Sequence, residues 1–152
     1  MFRNYFASYV SETALRLPAS TSIVFDTKVL ISAFIFKGYA DQVYRYCAER
    51  YILYTSEWML DKLKDVLSRE KFRLPPTLQE EIIAQIKADS QVVIPVNQLP
   101  TNSPDPDDNY VLQTALSVQA NFLITGDEKH LLLLKQVQTT EIIAPRTSSS
   151  DI

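Results

Sequence analysis

Ser22-Ile-Val-Phe-Asp26-Thr27-Lys28-Val-Leu-Ile-Ser32-Ala33 is the stretch that decides the fold. Ile23 to Phe25 is a short apolar run that reads as a buried strand. Asp26 stands at its end, and the chain turns there into a helix expected from about Val29 to Phe34. In open parallel α/β sheets, function collects outside the carboxyl ends of the strands. An Asp at such a point serves as a helix N-cap or as a metal ligand. Capping is the ordinary role when the residue is taken alone. Here Asp recurs at matching places further along.

The chain has 152 residues, 46% hydrophobic and 22% charged, enough for one domain with a real core. The single cysteine, Cys47, excludes an internal disulfide, and no Cys/His zinc pattern is present. With one histidine, His130, a histidine-based triad would depend on that residue alone. No apolar run approaches the ~18 residues of a membrane span, and the N-terminus lacks a signal-peptide pattern. The expectation is a reduced, cytoplasmic setting with no membrane partner. A net charge of -3 gives no bulk attraction to nucleic acid. It does not exclude a nuclease, because a carboxylate cluster awaiting metal lowers the charge.

Residues 1–20 carry a weak helical pattern (Tyr5, Phe6, Tyr9, Val10, Ala14, Leu15, Leu17) ending at Pro18, expected as an appended segment. Residues 21–146 alternate apolar runs with amphipathic segments. Helix Ala40–Arg50 is followed by strand Tyr51–Tyr54. A helix capped by Thr55 or Ser56 then presents Met59, Leu60, Leu63, Val66 and Leu67 as one stripe. After Pro75 and Pro76 comes a helix to about Ala88, then a short strand Gln91–Ile94 and a polar loop Pro95–Pro104. Residues 147–152 are expected as a loose tail. Five strands alternating with helices predict a three-layer α/β/α sandwich on a central parallel sheet.

Asp105-Pro106-Asp107-Asp108-Asn109 directly precedes a helix expected from Tyr110 to Val118. Asp108 lies four residues before Leu112 and seven before Ala115, hence on the core-facing side. An ionised carboxylate aimed inward is costly unless neutralised. Capping and the helix dipole account for one or two of these acids better than for three. Asn121-Phe-Leu-Ile-Thr125-Gly126-Asp127 is another apolar strand ending in Asp, with a short helix expected from Glu128 to Leu134. Asp26 and Asp127 thus both end strands, with Asp108 at a helix start that can face them. Three acids without bases repel, and Mg²⁺ or Mn²⁺ is the usual remedy. Such a constellation points to metal-dependent hydrolysis of a phosphodiester.

These marks together resemble the PIN-domain family, in the bacterial branch of toxins from toxin–antitoxin pairs. They are Val24 to Ser32, Thr55 to Leu67, Arg69 to Phe72, Asp105 to Leu112 and Leu123 to Asp127. The resemblance runs from Ile23 to Pro145. It implies a Mg²⁺- or Mn²⁺-dependent ribonuclease built on four acids, with RNA as substrate and an antitoxin-like protein as partner; self-association is left open. Carried over by position, the first acid is Asp26, the third Asp108 and the fourth Asp127, with Thr125 supporting the last strand's turn.

Two positions depart from the pattern. Lys28 stands where the family usually has Asn, and Lys62 where it has its second acid, a Glu. Asp61 is no substitute: at about 100° per residue it points away from the stripe that Lys62 flanks. Glu57 lies on the stripe's opposite side. The two lysines either reach solvent as ordinary surface charges or partly replace the ion's charge. Three readings follow: an active metal-dependent ribonuclease, a degenerate PIN domain that binds RNA or protein without cutting, and an unrelated α/β domain whose aspartates are caps. Lys62, Lys64, Arg69, Lys71 and Arg73 form either an RNA-facing strip or plain solvated helix surface.

Overall fold

The computed structural model describes residues 17–95, 105–127 and 129–145. The expected N-terminal helix, most of the polar loop and the tail fall outside them. Strand β1 (Ser22–Phe25) is buried along its whole length. Ile23 and Phe25 enter one core cluster and Val24 the other, so the strand feeds both faces. That is why its apolar run is continuous rather than alternating.

The chain then forms α1 (Thr27–Ile31), prolonged by one π turn over Ser32–Phe36. Lys37 and Gly38 both take positive φ and reverse the chain into α2 (Gly38–Arg50). Strand β2 (Ile52–Ser56) leads into α3 (Glu57–Leu67), whose N-cap Ser56 Oγ accepts from the Met59 amide. Helix α4 (Pro76–Asp89) opens on a proline, whose missing N–H is no loss in a first turn. Then follow β3 (Ser90–Val93), α5 (Pro106–Ser117), β4 (Phe122–Ile124), α6 (Leu131–Leu134), β5 (Gln136–Val137) and β6 (Thr140–Ile143).

The sheet order is β3-β2-β1-β4-β6-β5. Five strands are parallel, and β5 adds an antiparallel edge to β6 that the sequence reading did not contain. A two-residue strand carries too little pattern to be seen. Helices α1 to α4 cover one face through Leu30, Tyr44, Cys47, Leu60, Leu63, Ile83 and Ile86. Helices α5 and α6 cover the other through Val111, Leu112, Ala115 and Leu131, joined by Met59. The result is an α/β/α sandwich. Helix α5 begins at Pro106, four residues before its expected start, because Asp105 caps it by accepting from the Asp107 amide at 2.9 Å.

The order of strands places the site. From β1 the chain moves outward through β2 to β3, then returns to the other side of β1 as β4. Strands β1 and β4 are neighbours in parallel register, Phe25 opposite Ile124. Their carboxyl ends flank the point where the winding reverses, the usual ligand crevice of such sheets.

Candidate active site

Asp26 follows β1 and Asp127 follows β4, so both stand at the carboxyl ends of neighbouring strands. Thr125 joins them. Its buried hydroxyl donates to Asp26 Oδ2 at 2.7 Å and accepts from the Asp127 amide at 3.0 Å. Asp26 is 4% exposed. Its other oxygen accepts from Thr27 Oγ1 at 3.3 Å and from the Lys28 amide at 3.4 Å. It is therefore an N-cap and a crevice residue at once. Burial pushes its carboxyl above the usual range, while these hydrogen bonds and the Lys28 charge hold the rise back.

Asp108 arrives from the first turn of α5 and is 6% exposed. Its carboxyl is pushed up to about 7, first by burial, then by a hydrogen bond shared with Asp127 and by the charges of Asp127, Asp105 and Asp26. Burial works against ionisation of Asp127 too. The Leu131 amide at 3.1 Å, the bond to Asp108 and the Lys129 amide at 3.3 Å outweigh it, and its carboxyl lies below the usual range. One proton between two carboxylates is the ordinary relief for such a pair.

The crevice opens into a cleft of about 300 Å³ lined by Asp26 and Asp108 together with Lys28, Lys62, Arg69 and Lys71. Lys62 Nζ bonds Asp107 Oδ2 at 3.0 Å. Its side chain is 31% exposed, so it reaches into the cleft rather than out to bulk water. Asp107, adjacent to Asp108 in sequence, has a 47% exposed side chain and is tied to that lysine. Lys64 lies elsewhere, over a groove between α3 and α4. The five basic positions therefore do not form one strip. Phe72, Ile31 and Val66 complete the cleft wall. All three fall within stretches that carry the family resemblance, but nothing in their spacing assigned them to a cleft.

Among the described residues, no three His, Cys, Asp or Glu side chains are disposed as ligands of one metal ion. The donor chemistry still suits a hard divalent cation, because carboxylate oxygens are what Mg²⁺ and Mn²⁺ select. The upward push on the Asp108 carboxyl from burial and from Asp127, Asp105 and Asp26 marks the negative charge that such a cation would neutralise.

The chain matches the PIN domain model over residues 22–129. It belongs to the PIN-domain family, whose members generally use divalent metal ions. Among solved structures it is similar to a chain in the crystal structure of VapBC2 from Rickettsia felis bound to a DNA fragment from their promoter. Identity is 10% and the TM-score 0.59, with 82% of this chain and 98% of that chain covered. A likeness at that identity is a likeness of fold. Comparison with curated proteins gives no match.

Proposed function

We propose that this PIN domain is a ribonuclease that hydrolyses RNA phosphodiester bonds, with Asp26, Asp108 and Asp127 as its acidic site. The observation that carries the reading is Asp108, a buried carboxyl hydrogen-bonded to Asp127 beside Asp26 at the sheet's switch point. Buried like charges are kept together at a cost in stability, and clefts are where that cost serves chemistry. Thr125 fixes Asp26 and the Asp127 backbone relative to each other. Lys28, Lys62, Arg69 and Lys71 draw a phosphate chain toward the acids. Mg²⁺ or Mn²⁺, held by Asp26, Asp108 and Asp127, would supply charge neutralisation at the phosphate and acidify its water.

The similar solved structure is that of VapBC2. That supports a place for this chain in a toxin–antitoxin pair, with an antitoxin-like protein as partner. No described helix is long and apolar enough to cross a membrane, and the reading places the protein in the cytoplasm with cellular RNA. A second reading, retention of RNA or a protein partner without cleavage, draws on Lys62, whose ammonium occupies the cleft beside Asp107. Incubation of a single-stranded RNA with Mn²⁺ distinguishes them. Cleavage that Asp26→Asn abolishes supports the nuclease, whereas binding without cleavage supports the second reading.

A further inference from the structure

One edge of the cleft is aromatic as well as basic. Phe72 lines it, from the 3₁₀ turn Glu70–Phe72. Phe36, at the end of the π turn after α1, meets the Phe72 ring edge-on with centroids 6.1 Å apart. Phe36 is 67% exposed. Lys71 Nζ stands 5.0 Å over the Phe72 ring. A second concavity, lined by Arg69, Lys71 and Arg73 with one acid, Glu70, shares Arg69 and Lys71 with the cleft. Among the described residues the ion pairs are those of Arg45, Arg50, Lys62, Lys64 and Arg69. Lys71 and Arg73 therefore carry charge that no carboxylate among the described residues takes up within ion-pair distance.

We infer that Phe36 and Phe72 form a base-stacking platform for single-stranded RNA, whose phosphates run from the aspartates past Lys71 to Arg73. The inference rests on the ribonuclease reading and names the form of RNA that it takes. An aromatic ring beside cations is the general solution for holding unpaired nucleotides, since every base has a π face and every linkage a charge. Among the described aromatic rings Phe36 packs on Phe72 alone and leaves most of its own surface to solvent, and the core has separate aromatic contacts at Phe25, Phe34 and Tyr44. Duplex RNA is excluded by the same geometry. Its bases are stacked on one another and offer no face to a side chain.

The test is fluorescence anisotropy in EDTA, so that nothing is cut, with three labelled ligands: an eight-nucleotide RNA, an abasic oligomer of equal length and a hairpin duplex. Phe36→Ala removes an exposed ring, and Phe72→Leu keeps the bulk that packs inward. Both should weaken the eight-mer about five- to a hundredfold and leave the abasic oligomer unchanged. Lys71→Gln should weaken both single strands and lower the salt dependence by about one phosphate contact. Wild-type binding of the eight-mer and the abasic oligomer with equal strength would overturn the platform and leave the ribonuclease reading standing. Phenylalanine variants that bind as wild type, or a preference for the hairpin, would do the same. Failure to bind any of the three would overturn both.

Discussion

Asp108→Asn should make the protein more stable at pH 8, although it removes a proposed active-site group. In the folded state the Asp108 carboxyl is pushed up to about 7, whereas in the unfolded chain it has its ordinary value of 3.8. Below pH ~4 both states are protonated and its hydrogen bond to Asp127 is intact. As the pH rises toward 7 the unfolded chain releases the proton and the folded one retains it, so stability falls, and above 7 the loss levels off. At ~1.4 kcal/mol for each tenfold change in proton affinity, the whole interval amounts to about 4 kcal/mol. Asp127 moves in the opposite direction and returns part of that. Water in the cleft returns more, leaving about 1–2 kcal/mol at pH 8. Asn cannot ionise and can donate to Asp127 at every pH. Thermal denaturation of both proteins from pH 4.5 to 8.5 should show curves that nearly coincide at the acid end. They should separate by about 2–8 °C at the basic end, with the variant higher. A variant less stable at pH 8, or two curves that run parallel, would refute the shared-proton account.

Thr125→Val should cost about 1–3 kcal/mol, because the buried Asp26 carboxylate loses its 2.7 Å donor; chemical denaturation measures this, and carbonyl NMR should show Asp26 titrating at higher pH. Lys28→Asn combined with Lys62→Glu should tighten Mn²⁺ binding about tenfold or more, since two cations are removed and a carboxylate added within one cleft; calorimetry reads the change, and an unchanged affinity would make the lysines bystanders. Leu123→Ala, fully buried at the centre of β4, should cost about 2–5 kcal/mol in denaturant unfolding.

Much of this architecture was legible in the chain. Continuous apolar runs such as Ile23–Phe25 and Phe122–Ile124 reveal doubly covered strands, and the stripe of Met59, Leu60, Leu63 and Leu67 reveals a helix on a core. That Asp26 and Asp127 end strands, and that Asp108 faces inward, follows from position and spacing. Strand order does not. Nothing local in the sequence says that β4 returns beside β1 rather than beside β3, yet that placement brings the two strand-end acids together. The shared proton of Asp108 and Asp127 likewise depends on a long-range contact.

Side chains at the cleft's rim were harder to read. Asp107 and Asp108 are neighbours in one helical turn, only about 100° apart around the helix. The structure separates them through Lys62, which holds Asp107 at the mouth while Asp108 is buried. Phe72 was visible only as the end of a short motif, because a 3₁₀ turn has no period by which to assign a face. The start of α5 comes earlier than the sequence suggests because Asp105 to Asn109 reads as a carboxylate cluster preceding the helix, whereas Asp105 is its cap and Pro106 its first residue. Proline at the first helical position is a start signal, and here that signal was outweighed by the polar composition around it.

The most direct measurement is cleavage of a labelled single-stranded RNA at pH 8 by wild type, Asp26→Asn and Asp127→Asn, each with millimolar Mn²⁺ and with EDTA. Cleavage by wild type that requires Mn²⁺, with at least a hundredfold loss in both variants, is the predicted result. RNA bound but left intact by folded wild type, with no Mn²⁺ taken up, would contradict the nuclease reading and leave a PIN domain that binds without cutting.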